Sequence, residues 1–166
     1  MYSVNVDVPG RVRQIASSLY PELMAFSSIR EDHSILVKRL GTAEEFNHLS
    51  QRTREALSGT PAVEARVSGI DYFVDPPRGP GPVVYLALES PGLDAIHARL
   101  VEALGAVPEL EGEDYTMHVT LARGGDIEDA RRLADRQVES VSWTISELKL
   151  WDAHRSRAVG TITLPN

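Results

Sequence analysis

No cysteine occurs in the 166 residues, which excludes disulfides, thiol nucleophiles and Cys-ligated zinc together. No apolar run approaches the roughly 18 residues a membrane span needs. The opening residues Met1-Tyr2-Ser3-Val4-Asn5-Val6 lack the basic region and apolar stretch of a signal peptide. The expectation is a cytoplasmic protein without a membrane partner. Lysine is scarce, with Lys38 and Lys149 the only two. Positive charge as a whole is short: the formal net charge is −7 and the pI about 5.2. A long nucleic-acid backbone is usually met by a basic face, so this balance argues against a general nucleic-acid coat. It leaves open a small anionic ligand or the end of an RNA, held in a locally basic pocket. The remaining composition, 42% hydrophobic and 25% charged, is that of a globular chain long enough to bury a core without staples.

The pattern of apolar residues divides the chain into short strands and amphipathic helices. Residues 2–8 alternate Tyr2, Val4, Val6 and Val8 against Ser3, Asn5 and Asp7, the period of a strand with one covered face. After Pro9-Gly10, Val12, Ile15, Ala16, Leu19 and Leu23 recur at helical spacing, with Pro21 expected to end or kink that helix. Residues 33–40 read as a strand. Thr42 with Glu44 and Glu45 suggests a capping box opening a helix to about Leu57, stopped at Gly59. A strand-like run over 62–74 leads to Asp75-Pro76-Pro77-Arg78-Gly79-Pro80-Gly81-Pro82, either a linker between lobes or a long hairpin loop. Beyond it come a strand at Val83–Leu88, a helix at Leu93–Leu104 and an acidic, solvated loop over 105–114. A strand at 115–122, a charged helix at 126–137 and strands near 139–151 and 158–164 complete the chain.

The two halves, roughly 1–78 and 83–166, resemble each other. Val4 to Gly10 followed by a helix matches Tyr85 to Gly92 followed by a helix. His33-Ser34-Ile35-Leu36-Val37-Lys38 then matches His118-Val119-Thr120-Leu121-Ala122-Arg123, with His, Leu and a terminal cation at the same offsets. Val67-Ser68 and its strand match Val141-Ser142 and its strand, so each half reads as strand–helix–strand–helix–strand–strand. Two lobes related by a pseudo-twofold axis, forming one bilobal unit over 1–166, would bring His33 and His118 face to face across a cleft.

Such a pair has a direct use. Cleaving a phosphodiester needs a base for the attacking group and an acid for the leaving oxygen on the opposite side, and two near-neutral imidazoles can divide these roles without a metal. Hydroxyls at Thr120 and Ser34, with Arg123 and Lys38, can hold the non-bridging oxygens. In the register preferred here His33 faces the cleft; in the other, one residue displaced, Ser34 takes the histidine position and Leu36 that of the threonine. A local bulge would let both His33 and Ser34 reach the phosphate. Arg123 and Lys38 also need a twist or bulge to reach the histidine face.

Over essentially its whole length the chain resembles the 2H phosphoesterase superfamily, in its LigT-like (2′-5′ RNA ligase, or RNA 2′,3′-cyclic phosphodiesterase) branch, which is defined by two His-x-Thr/Ser motifs. His118-Val119-Thr120 matches the second motif; His33-Ser34-Ile35 departs from the first. Val67-Ser68-Gly69-Ile70-Asp71-Tyr72-Phe73 with Pro76-Pro77 and Val83-Val84-Tyr85-Leu86 also resembles the segment downstream of the first motif. The resemblance implies an α+β fold of two antiparallel sheets lining a central cleft with helices outside. It also implies a cofactor-free enzyme acting as a monomer on RNA 3′ ends or small cyclic nucleotides. Such an enzyme opens 2′,3′-cyclic phosphates to 2′-phosphates, or in reverse joins 2′-5′ ends. His33 and His118 would be catalytic, with base and acid unassigned between them, and Thr120, Ser34, Arg123 and Lys38 would bind substrate. The alternative is a catalytically weak nucleotide- or RNA-end-binding protein with a degenerate first motif. His48, His97 and His154 read as solvated and show no metal-ligand spacing. Tyr85 and Tyr115 read as packing residues that could instead stack on a base, and Arg155 and Arg157 as charge in a hairpin turn.

Overall fold

The computed structural model describes residues 1–165, with Ala43 through its backbone only; Asn166 lies outside the described residues. Nine strands and four α-helices are defined among them: β1 (Tyr2–Asp7), α1 (Gly10–Leu23), β2 (Ser28–Ile29), β3 (Ser34–Gly41), α2 (Phe46–Ala56), β4 (Val63–Phe73), β5 (Val83–Glu89), α3 (Pro91–Leu104), β6 (His118–Arg123), α4 (Ile127–Ala134), β7 (Ser142–Ile145), β8 (Glu147–Asp152) and β9 (Arg157–Thr163). They form an α+β fold with two antiparallel sheets, ordered β3-β1-β8-β9 and β2-β6-β5-β4-β7. The loop over 74–82 joins β4 to β5, which pair from Phe73↔Val83 onward, so the Pro/Gly-rich stretch is a hairpin loop.

Local sequence explains most of these elements. The valines of β1 alternate into the core, with Val4 0% and Val6 2% exposed. Ser90 caps α3 by accepting the Leu93 amide, and Pro91 occupies the first helical position, where a missing N–H costs nothing. Pro21 neither ends nor displaces α1. It sits in the last turn, where its ring removes only one helical hydrogen bond. A 3₁₀ turn at Ala43–Glu45 precedes α2, whose N-cap is Glu45 rather than Thr42.

The two sheets do not coincide with the two halves of the chain. β4, from the first half, lies beside β5 of the second, while β8 and β9, from the second half, lie beside β1 of the first. Each half therefore completes its sheet with strands from the other. β8 holds the place beside β1 that β4 holds beside β5. The match of Val67-Ser68 to Val141-Ser142 is thus corrected: the latter leads into β7, the edge strand paired to β4.

The strands that carry the motifs, β3 and β6, approach each other where the two sheets meet. Each is bulged at the same place. Asn5 pairs with Leu36 but Val4 with Lys38, leaving Val37 as an extra residue in β3. Tyr85 pairs with Thr120 but Val84 with Ala122, leaving Leu121 extra in β6. A bulge turns every following side chain over. Val37 and Leu121 are buried by the ordinary alternation, Lys38 and Ala122 are buried because of the bulge, and Arg39 and Arg123 come round to the cleft.

Candidate active site between the sheets

The central cavity, about 410 Å³, is lined by Ser34, Leu36 and Arg39 from β3, His118, Thr120 and Arg123 from β6, Ser3 and Asn5 from β1, and Trp151 from β8, closed by Arg30, Asp32, Ala153 and Ser156. Three arginines against one aspartate make this a cationic pocket in a chain of net charge −7, a geometry suited to a small anion.

Of the six residues expected in the site, His118, Thr120, Arg123 and Ser34 line this cavity. Lys38 does not. The bulge at Val37 turns it inward, where it is 2% exposed and its Nζ donates to Glu111 Oε1 at 2.6 Å. His33 lines the adjoining cavity, about 310 Å³, with Arg13, Asp7, Glu31 and Asp32. The pairing Asp7↔Ser34 and Asn5↔Leu36 sets Ser34 and Leu36 on the open face of β3, with Ile35 fully buried beneath. The register realised is therefore the one in which Ser34 stands at the histidine position and Leu36 at the threonine position. Ser34, not His33, thus lines the central cavity with His118, and His33 stands in the adjoining cavity, which shares Asn5, Asp32, Ser34, Trp151 and Ser156 with it.

His118 begins β6 opposite Ala87. Its Nδ1 lies 2.6 Å from the carbonyl of Thr116, and a carbonyl only accepts, so Nδ1 carries the proton and Nε2 is the open nitrogen. Tyr85 and Phe73 meet the ring edge-on at centroid distances of 5.1 and 5.4 Å. Burial lowers the His118 pKa below its ordinary value; the Thr116 carbonyl raises it, and the charges of Arg39, Arg30 and Arg123 lower it further. At neutral pH the ring is uncharged and a ready proton acceptor. The His33 pKa is also lowered, by burial and Arg30, against the opposing effect of Asp32.

Arg123 donates from Nη1 to the carbonyl of Arg78 at 3.0 Å. Gly79, at φ 76°, lies so close to that guanidinium that a Cβ would collide with it, so the hairpin loop needs glycine there. A third cavity, about 210 Å³, shares Leu36, Arg39 and His118 with the central one and is walled by Phe73, Pro76, Pro77, Leu110 and Tyr115. The Tyr115 hydroxyl donates to the carbonyl of Leu36 at 2.8 Å, and burial pushes the Tyr85 phenol up to about 12.

Two readings of the sequence are corrected. His97 is buried, with Nδ1 2.7 Å from the Val37 carbonyl and Nε2 accepting the Gly112 amide at 3.0 Å. Glu111, in the loop read as solvated, is 3% exposed. Sequence reasoning also missed Arg30, Arg39, Phe73 and Trp151. Arg39 alone had a signal, since it repeats Arg123 once the bulges are aligned. Among the described residues, no group of three or more His, Asp or Glu could hold a metal ion.

The family model for the 2′-5′ RNA ligase superfamily matches residues 35–157. The chain belongs to that superfamily. Solved structures agree on the fold. Those similar over nearly the full length of both chains include TT0787 of Thermus thermophilus (18% identity, TM-score 0.70, 98% of this chain and 97% of that). LigT of E. coli complexed with 3′-AMP is another (16%, 0.71, 99% and 98%), and Usb1 of Kluyveromyces marxianus a third (13%, 0.67, 99% and 97%). No curated protein sequence matches the chain. Membership supports phosphodiesterase or RNA-ligase-like chemistry. Among the described residues no helix is long and apolar enough to cross a membrane.

Proposed function

We propose that the cleft takes the terminal 2′,3′-cyclic phosphate of an RNA 3′ end or a small nucleotide and opens it to a 2′-phosphate without a metal. In this reading His118 is the only imidazole at the phosphate. The observation that carries it is the neutral His118 ring, its Nδ1 proton held by Thr116 and its Nε2 free, in a pocket with Arg30, Arg39 and Arg123. Nε2 takes a proton from water as the water oxygen bonds to phosphorus and the bond to the 3′ oxygen breaks. Thr120 and the arginines hold the non-bridging oxygens, where charge develops. With Ser34 in place of a second imidazole, the 3′ oxygen takes its proton from solvent, so turnover is slow. A ribose 5′ hydroxyl in place of water, bonding to phosphorus as the bond to the 3′ oxygen breaks, gives 2′-5′ joining. The apolar cavity beside Phe73 and Tyr115 suits a base. The setting is a monomer in the cytoplasm, bound to RNA ends or nucleotides.

A second reading is favoured by Ser34 and Leu36 themselves: a protein that binds the phosphate end and does not turn it over. One assay separates the two. A 2′,3′-cyclic nucleotide and a cyclic-phosphate RNA end are incubated with the protein and a chelator. Turnover that is lost in His118→Ala and kept in His33→Ala supports the first reading. Saturable binding without turnover supports the second. Turnover lost equally in both variants would restore a two-histidine mechanism and overturn the assignment of Ser34 to the cleft.

A further inference from the structure

Behind the cleft lies an ion pair that the proposed reaction does not use. Glu111 and Lys38 are 3% and 2% exposed. Glu111 Oε1 accepts from Lys38 Nζ at 2.6 Å and from the Val107 amide at 2.9 Å, and Oε2 accepts from the Arg39 amide at 2.9 Å. The Arg39 guanidinium stands 3.8 Å from Oε2. A buried ion pair is a poor source of net stability, because desolvating both charges offsets their attraction. Nor does the bulge require a charge at this place: Ala122, the counterpart of Lys38 in β6, is apolar and buried. What the two halves share is an arginine next in sequence, Arg39 or Arg123, that faces the anion cavity. Each has its own brace. Arg123 leans on the Arg78 carbonyl, and Arg39 has Glu111.

We propose that Glu111 is a positioning residue: through the Arg39 amide and guanidinium it holds that side chain in the phosphate cavity, and Lys38 neutralises it there. Both carboxylate oxygens are occupied by donors, so an amide in place of the carboxylate would turn its own N–H₂ group against one of them. The same carboxylate fixes the start of the loop that carries Leu110 to the apolar cavity, so one side chain sets the anion contact and the neighbouring wall together.

This inference rests on the cleft binding a nucleotide phosphate, and its test has one readout that does not. The probe is adenosine 2′-monophosphate, titrated into the wild type, Glu111→Gln, Arg39→Ala and the double variant. The expected result is a loss of affinity of roughly tenfold, the worth of one charge-assisted contact, in Glu111→Gln and in Arg39→Ala, with no further loss in the double variant. Wild-type affinity in Glu111→Gln, or losses that add, would overturn the proposal. Should Glu111→Gln fail to fold, Lys38→Met with Glu111→Leu fills the same space without an unpaired charge and is expected to bind as weakly as Arg39→Ala. The second readout needs no ligand: NMR of ¹⁵N-arginine-labelled protein should show an ordered Arg39 Nε that becomes mobile on removal of Glu111, while Arg123 Nε is unchanged. An Arg39 equally ordered in wild type and variant overturns the proposal. An ordered Arg39 in a wild type that binds no nucleotide supports the brace and instead overturns the reading of the cleft.

Discussion

Ser34 stands on β3 where His118 stands on β6. Each lies three residues before the extra residue of its strand's bulge, Val37 in one case and Leu121 in the other. The equivalence continues through Leu36 with Thr120 and Arg39 with Arg123. The two walls thus match position by position but differ in what they present: β6 offers an imidazole and a hydroxyl, and β3 a hydroxyl and a leucine at the same two positions.

Restoring the missing pair should therefore restore rate. Ser34→His with Leu36→Thr puts a second imidazole and hydroxyl opposite His118, and general acid–base catalysis is worth about 10²–10⁴-fold. An increase in cyclic-nucleotide turnover of at least about tenfold is expected. A folded double variant with unchanged turnover would mean that β3 does not face the reacting group.

The pH dependence follows from the His118 pKa. Its folded value is lowered, first by burial, so the neutral base persists below the ordinary value of 6.5. The acid limb of kcat/KM should have its midpoint below 6.5, and Arg39→Ala should move that midpoint upward by removing a nearby cation. The same shift affects stability. Between the folded pKa and 6.5 the unfolded chain binds more protons at His118, so this group's contribution rises with pH through that window and is lost below it. A midpoint at or above 6.5 would contradict the assignment.

Glu111 has its own window, on the acid side. Burial alone would raise its pKa; the Lys38 ammonium and the amides of Arg39 and Val107 outweigh burial and hold it below 4.5. Its contribution is present above 4.5 and lost as pH falls through the lowered value. Glu111→Ala leaves Lys38 buried without its partner and should cost about 3–5 kcal/mol at neutral pH, read by denaturant titration. The loss should be largely recovered when Lys38→Met is added.

Arg123 lines the central cavity, anchored by its bond to the Arg78 carbonyl. Arg123→Ala should reduce adenosine 2′-monophosphate affinity by roughly tenfold and make it less salt-dependent, with little change in stability. Gly79→Ala should weaken the same affinity from outside the cavity, by displacing the guanidinium, and should also cost about 1 kcal/mol for its left-handed backbone. Equal binding by the wild type and Gly79→Ala would show that the loop does not aim Arg123.

Alternation and helical spacing were enough to place most elements, because those patterns record burial directly: Val4 and Val6, or Val119 and Leu121, face the core as their spacing says. The register of β3 was not legible. A count in twos fails by one on crossing a bulge, and neither Val37 nor Leu121 differs in type from an ordinary strand residue. Matching the terminal cations aligned Lys38 with Arg123 and so drew His33 into the cleft, whereas the structure aligns Arg39. Glu111 was hidden by composition, since an acidic loop reads as solvated until the lysine that neutralises it, 73 positions away, is in view. Arg30 and Trp151 reach the cavity from elements without a motif, and no local pattern marks them.

The exchange of strands between the halves bears on how the cleft can move. β4 is covalently part of the first half but paired into the sheet of the second, and β8 and β9 are the converse. A chain cut in the 75–82 loop would leave two fragments, each with a sheet that only the other completes. They should stay associated and neither should fold alone. For the intact protein, the walls of the cleft are tied twice over and cannot swing apart as hinged domains. A ligand must be admitted by side chains and by the two loops that carry Gly79 and Leu110, so those loops set how large a ligand can enter.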